Sequence, residues 1–211
     1  MKVILVNGSP HKEGCTFTAL SEVAKMLNQE GIDTEIFWIQ NKPVGGCIAC
    51  MQCGDIGKCA FDDVVNEFRL KAYDADGVVF GTPVHYAAAS GNMTAFMDRL
   101  FFSEMRGNEG KAFRMKPAAA IISARRAGTT AAFEQMIKYF TIQEMPVVSS
   151  SYWNMVHGAT PEDVKEDAEG LFTMMELGRN MAYLLHCQEA GRKAGINPPK
   201  HEAKPFTNFI R

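Results

Sequence analysis

Four of the chain's six cysteines fall within the stretch GGCIACMQCGDIGKC, as Cys47, Cys50, Cys53 and Cys59 in the spacing C-x2-C-x2-C-x5-C. Thiolates at intervals of three cannot diverge far. A fourth shortly after lets them wrap a compact inorganic cluster, much as in the ferredoxin run C-x2-C-x2-C-x3-C. Structural zinc usually uses two separated C-x2-C knuckles, and a third cysteine inside the second knuckle fits that poorly. Three readings stand at this point: a 4Fe-4S cluster, thiols without a metal, and zinc. Gly45, Gly46, Gly54 and Gly57 are expected to let the backbone turn tightly around the thiols. Cys15 and Cys187 lie too far away in sequence to be given a part.

A second chemistry is carried by NGSPHKEGCT. It resembles a P-loop but fails as one, since five residues separate Gly8 from Gly14 and Cys15 stands where lysine belongs. There is no GxGxxG, so no dedicated dinucleotide site is indicated. What remains is a glycine-containing loop with hydroxyls at Ser9 and Thr16, entering a helix whose first N–H groups carry partial positive charge. That suits a single terminal phosphate, and a plain capped helix after a turn is the competing reading. Two further loops carry polar and aromatic residues: Thr82, Pro83, Val84, His85 and Tyr86 in one, and Arg125, Arg126, Ala127 and Gly128 in the other.

Elements that must position these loops follow from the apolar pattern. Short β-branched runs at 3–6, 34–39, 77–84, 117–123 and 145–150 read as strands. Helical spacing covers 16–27, a stretch capped by Asp62 or Asp63, the stretch NMTAFMDRL, 129–140 and a long run at 161–186. Strands that alternate with helices and read as continuous apolar runs predict a parallel sheet covered on both faces, a three-layer α/β sandwich of five strands. Ligands of such sheets sit at the carboxyl ends of the strands, so the loops after strands one, three and four are the ones to examine. The cysteine segment follows strand two, whose carboxyl end shares that edge, and is expected on the same side.

At 211 residues with 46% hydrophobic content, one domain is expected. Net charge is −2, from 22 Lys and Arg against 24 Asp and Glu scattered through the chain, which leaves no basic stripe for nucleic acid. The first apolar run stops at Val6 and nothing approaches the roughly 18 residues of a membrane span. A cytoplasmic protein is therefore expected, in a compartment where a tight cysteine cluster points to metal or redox chemistry rather than to disulfides. Asp98 and Arg99 read as a local ion pair or helix-surface contact of little net energy. The 13 methionines read as adaptable core filler.

Taken together, GSP-x-x-x-G-x-T, P-V-x-Y and the downstream F-x-D-R resemble the flavodoxin-like NAD(P)H-dependent FMN reductases and, more closely, the iron-sulfur flavoproteins, over residues 1 to about 150. The cysteine spacing, with Asp62 and Asp63 just after it, resembles the compact cluster motif of the latter. The resemblance implies strand order 2-1-3-4-5 and a flavodoxin-like FMN-binding domain over 1–186, with the cysteine-rich insertion at 44–60; the C-terminal extension at 187–211 has too little apolar periodicity for a core element and reads as an arm across a neighbouring subunit or a loosely held terminus. The resemblance also implies FMN with its phosphate on Ser9, Gly14, Cys15 and Thr16, with His11 or Lys12 adding charge. Thr82 to Tyr86 would run along the isoalloxazine, and Arg125, Ala127 and Gly128 would lie near its pyrimidine side. Cys15 departs from the asparagine often found there, which puts one side-chain bond to the phosphate in doubt. The implied activity is electron transfer from NAD(P)H or ferredoxin to an acceptor through a 4Fe-4S cluster, in a homodimer or homotetramer. No general acid or nucleophile is required of the protein. A cluster-free FMN or quinone reductase and a non-enzymatic flavin- or zinc-binding protein are the alternatives.

Overall fold

The computed structural model describes residues 1–202, 205 and 207–209. In chain order the elements are β1 (Lys2–Asn7), α1 (Cys15–Gln29), β2 (Asp33–Trp38), α2 (Cys53–Ile56), α3 (Val64–Tyr73), β3 (Gly77–His85), β4 (Ala88–Ala89), α4 (Gly91–Asn108), β5 (Ala118–Ala124), α5 (Thr129–Ile142), β6 (Met155–His157), α6 (Pro161–Glu166) and α7 (Ala168–Lys193). Among the described residues the parallel strands run in the order β2-β1-β3-β5-β6, and β4 turns back antiparallel on the end of β3. This is the expected five-stranded doubly wound sheet. Its register sets Asn7 beside Gly81 and Pro83 beside Ser123, so the carboxyl ends of β1, β3 and β5 finish together.

Successive strand residues point to opposite faces, and both faces are buried. Ile4, Val6, Val78 and Phe80 meet apolar residues of α3, α4 and α5, while Val3, Leu5 and Val79 meet those of α1 and α7. Phe68 of α3 sits with its ring centroid 5.2 Å from Phe37 and 5.5 Å from Phe96. Burying each such side chain contributes about 1.5–3 kcal/mol. No helix of the described residues is long and apolar enough to cross a membrane.

The fifth strand and the long helix depart from the sequence expectation, and α4 runs on to Asn108, past the expected stretch NMTAFMDRL. The fifth strand lies at Met155–His157 rather than 145–150: Val147 makes one bridge to Ala118, the chain leaves the sheet, and β6 then pairs with Ile122 to Ala124. Ser150 closes the excursion locally, its hydroxyl lying 2.7 Å from the Tyr152 carbonyl and 2.6 Å from Asn154 Oδ1. Such side-chain bonds compete with a ladder. The long helix expected at 161–186 is two. It breaks at Asp167, whose carboxylate accepts from the N–H groups of Gly170 at 2.9 Å and His157 at 2.7 Å. The second of the two, α7, continues to Lys193, so the expected boundary at 186 falls inside it.

Candidate functional site

The loop after β1 is built around Asn7, which is fully buried. Its carboxamide accepts from Ser9 N–H at 3.0 Å and donates to the Lys12 carbonyl at 2.9 Å, drawing residues 7–12 into a tight turn. Ser9 Oγ accepts from His11 N–H at 3.1 Å, and Trp38 Nε1 donates to the Ser9 carbonyl at 2.8 Å. His11 and Lys12 stand exposed above the turn. Gly14 then opens α1 with no side-chain cap and no acidic residue in the first turn. The early N–H groups of α1 therefore point out of the helix without a side-chain acceptor, which is the polarity an anion needs.

Not every residue expected around a phosphate turns its side chain to that edge. The Thr16 hydroxyl is buried against Ser123 Oγ at 2.8 Å, and the Cys15 thiol donates to the Gly158 carbonyl at 3.7 Å. Burial pushes the Cys15 thiol up from its ordinary value, and Asp163 and Glu162 add to the rise. These two positions can serve an anion through backbone N–H only.

Beside this loop, β3 ends in a two-residue hairpin. His85 pairs with Ala88, and Tyr86 and Ala87 take positive φ of 49° and 60°. Both central residues in the left-handed region is the turn that Asn-Gly normally makes; here two side-chain-bearing residues carry that strain, and Tyr86 projects wholly into solvent. Gly128 lies against the hairpin at φ 98°, where an added Cβ would come within 2.6 Å of Ala87 Cα. Arg125, Arg126 and Ala127 are exposed around it, and Pro83 and Val84 are half-buried. Thr82 does not face outward: its hydroxyl accepts from Ser90 N–H at 3.1 Å, and Ser90 Oγ donates to the Gly8 carbonyl at 3.1 Å. Thr82 thus ties the first and second loops together. The expected residues of all three loops are gathered on one edge, with an exposed rim from His11 to Tyr86 to Ala127.

The cysteine segment forms a separate centre. It leaves the sheet after Ile39 and runs down the outer flank of α4: Asn92 holds the Lys42 carbonyl and Val44 N–H, and α2 packs near Gly107. At 1.5 Å per residue, Arg99 is roughly 13 Å down the helix from its cap Ser90, so the thiols sit beside α4 rather than on the loop edge where they were expected. The turning positions also differ from the expected glycines. Positive φ occurs at Ala49 (52°), Met51 (61°) and Gly57 (70°), but not at Gly45, Gly46 or Gly54. Ala49 and Met51 lie in the two x2 spacers, and each such backbone costs about 1–2 kcal/mol, spent where the chain must fold the thiols back.

Cys47, Cys50, Cys53 and Cys59 all line one cavity, together with Ile48, Met51, Phe61, Phe102 and Arg99. Cys53 is buried and Cys47 and Cys50 are exposed. Among the described residues no three His, Cys, Asp or Glu side chains are gathered tightly enough for a single ion. Burial pushes the Cys53 thiol up, with Arg106 working against it.

Arg99 anchors this centre and was misread from sequence. Far from a surface contact, it is 1% exposed. Its guanidinium takes Asp63 in a fork at 2.7 and 2.9 Å, donates to Cys59 Sγ at 3.2 Å and the Gly45 carbonyl at 3.3 Å, and lies 4.8 Å from the Phe61 ring centroid. Burial opposes its charge, but Asp63 and the Cys59 sulfur outweigh burial and hold it above its ordinary value. Asn66 of α3 adds a second clamp, bonding both backbone groups of Cys59 at 2.8 and 3.1 Å. The F-x-D-R motif was the available signal for Arg99; Asn66 and Asn7 carried none.

A family model and a curated relative agree on one family, and solved structures agree on its fold. A family model described as NADPH-dependent FMN reductase matches residues 1–160. An iron-sulfur flavoprotein of Methanocaldococcus jannaschii is 33% identical over 187 residues, spanning 86% of this chain and 96% of its own length. RosB, solved with bound 8-demethyl-8-formylriboflavin-5'-phosphate, superposes with a TM-score of 0.69 at 14% identity, over 100% of this chain and 94% of that one. A flavodoxin from the domain Archaea gives 0.56 at 18% identity, over 88% and 99%. The fold is flavodoxin-like.

Proposed function

The chain belongs to the NADPH-dependent FMN reductase family and is a flavin oxidoreductase, and on that premise we propose that it holds FMN on the carboxyl edge and a 4Fe-4S cluster in the cysteine cavity. The observation that carries the second half is the single cavity lined by all four cysteines and braced by buried Arg99. The choice over zinc rests on the spacing C-x2-C-x2-C-x5-C, whose third thiol at an interval of three fits two separated zinc knuckles poorly and suits a compact cluster. The iron-sulfur flavoprotein name of the M. jannaschii relative supports the same choice.

The donor set fits FMN as well. The open end of α1 and exposed His11 and Lys12 suit a terminal phosphate, taken by backbone N–H from Gly14 to Thr16 with Ser9 shaping the turn. The strained Tyr86-Ala87 hairpin and the Ala127-Gly128 turn offer two sides of a shelf for a planar ring, with Arg125 at its rim. When bound, FMN takes up a hydride or single electrons and an iron-sulfur cluster passes electrons one at a time. The chain's own part is to hold and shield. Asn7 fixes the phosphate turn, Arg99 and Asn66 fix Cys59, the Arg99 guanidinium balances thiolate charge, and Ile48, Met51 and Phe102 line the cavity.

The donor is proposed to be NAD(P)H or a reduced ferredoxin, in the cytoplasm, where thiols stay reduced. Exposed Ile48, Met51, Ile56, Met105 and Ile142 around the cysteine segment support a homodimer or homotetramer that covers them. Chromatography of acid-released flavin tests the cofactor: FMN is expected, and FAD, or no flavin after reconstitution with excess FMN, overturns it. Anaerobic titration tests the donor. NADH, NADPH or reduced ferredoxin bleaches the flavin band, and failure of all three contradicts the assignment.

A further inference from the structure

A cavity of about 650 Å³ opens at the other end of the sheet, where Ala75 and Asp76 enter β3 and Lys116 enters β5. Its walls come from the ends of α3 and α7, the connection between α4 and β5, and residues 196–199, which close over it as Arg114 Nη1 donates to the Pro199 carbonyl at 2.9 Å. The volume is that of a small-molecule site. None of the flavin-edge or cluster-site residues lines it.

The charge of the lining is one-sided. Four cations, Lys111, Arg114, Lys116 and Arg192, face one carboxylate, Asp76. Glu144 and Glu109, which pair with Arg114 at 2.6 Å and Lys111 at 3.7 Å, are not part of the lining. Asp76 is itself half engaged, accepting the Lys2 N–H at 2.9 Å on one oxygen and standing 3.9 Å from Arg192 on the other. Lys116 has no carboxylate partner among the described residues and donates to the Ala72 carbonyl at the end of α3. Tyr73, Met115, Ile196 and Pro198 supply the apolar remainder of the wall.

We propose that this cavity binds a small phosphorylated organic molecule of nucleoside-monophosphate size, its phosphate between Lys116 and Arg192 and its body against Tyr73, Met115 and Ile196. A multiply charged head satisfies the unpaired ammonium and the loosely paired guanidinium together, and the apolar walls take a ring that water solvates poorly. Burial, opposed by Asp76, Asp74 and Glu104, holds the Lys116 ammonium down to about 8, which is the state of a cation short of a counter-charge.

Calorimetry on the FMN-loaded protein, with the flavin edge already filled, provides the test, using adenosine 5'-monophosphate, inorganic phosphate and adenosine as probes. The monophosphate is expected to bind one per chain, inorganic phosphate more weakly, and adenosine weakest. Arg192→Ala and Lys116→Gln should each weaken the monophosphate at least tenfold with flavin content unchanged. Should Lys116→Gln fail to fold, because that ammonium also caps α3, half-exposed Arg192 carries the test alone. No saturable heat from the monophosphate, equal affinity in Arg192→Ala, or adenosine binding as tightly as its monophosphate overturns the proposal.

Discussion

Removing the Arg99 guanidinium would leave Asp63, Cys59 and the Gly45 carbonyl facing an emptied buried space. A fully buried pair broken from one side costs about 3–5 kcal/mol; Asp63 is 36% open to solvent, so Arg99→Ala should cost about 2–3 kcal/mol in urea unfolding. Arg99→Lys keeps the charge but loses the fork, and should retain the fold while lowering reconstituted iron, which a colorimetric iron assay reads. A second residue-scale prediction concerns Lys116. Its folded value is lowered to about 8 from an ordinary 10.5, so the unfolded chain binds more protons between those limits and this group makes stability rise with pH across that window. Below about 8 its contribution is constant and unfavourable. The urea midpoint should therefore climb less from pH 8 to 10 in Lys116→Met than in the parent; an equal climb would contradict the assignment. At this scale the sequence was legible where chemistry is local, as in the cysteine spacing and the Asp63 cap. It was opaque where a partner comes from far along the chain: nothing near Arg99 announces a carboxylate 36 residues earlier.

Helices and loops meet at two glycines that admit nothing larger. An added Cβ at Gly107 of α4 would stand 2.4 Å from the Cys53 carbonyl oxygen and 2.8 Å from Gly57 Cα, both backbone atoms of the cysteine segment. Gly107→Ala should push α2 off α4, cost about 1–3 kcal/mol and reduce cluster content, with FMN still bound. Gly128→Ala combines a left-handed φ with a collision at Ala87, and should do the converse, weakening FMN at least tenfold by fluorescence titration while the cluster forms normally. If both variants lose both cofactors together, the two centres are not the separate constructions described above. Element boundaries were readable where a cap and an apolar run coincide, as at Asp63. They were not where polar side chains redirect the backbone. Ser150 and Asn154 interrupt the fifth strand inside an apolar-looking stretch, and Asp167 both ends α6 and caps α7 within a continuous helical pattern.

For the whole molecule, the parallel sheet brings three loops to one edge and leaves the cysteine segment free to pack along α4, so the two proposed cofactors would sit at separate places on one chain. Self-association should bury the apolar rim of the cysteine segment, and light scattering at micromolar concentration should give a dimer or tetramer that Ile48→Asp combined with Met51→Asp shifts toward monomer. A wild-type monomer throughout would contradict this. The edge-forming topology was legible from alternating strands and helices, and the course of the cysteine segment was not, because an irregular stretch carries no periodicity to aim it. The most direct measurement is iron, acid-labile sulfide and flavin per chain after anaerobic reconstitution. About four irons, four sulfides and one FMN are expected, with iron lost and FMN kept when any one of Cys47, Cys50, Cys53 or Cys59 is changed to Ala; no iron, or one zinc per chain in its place, would contradict the account.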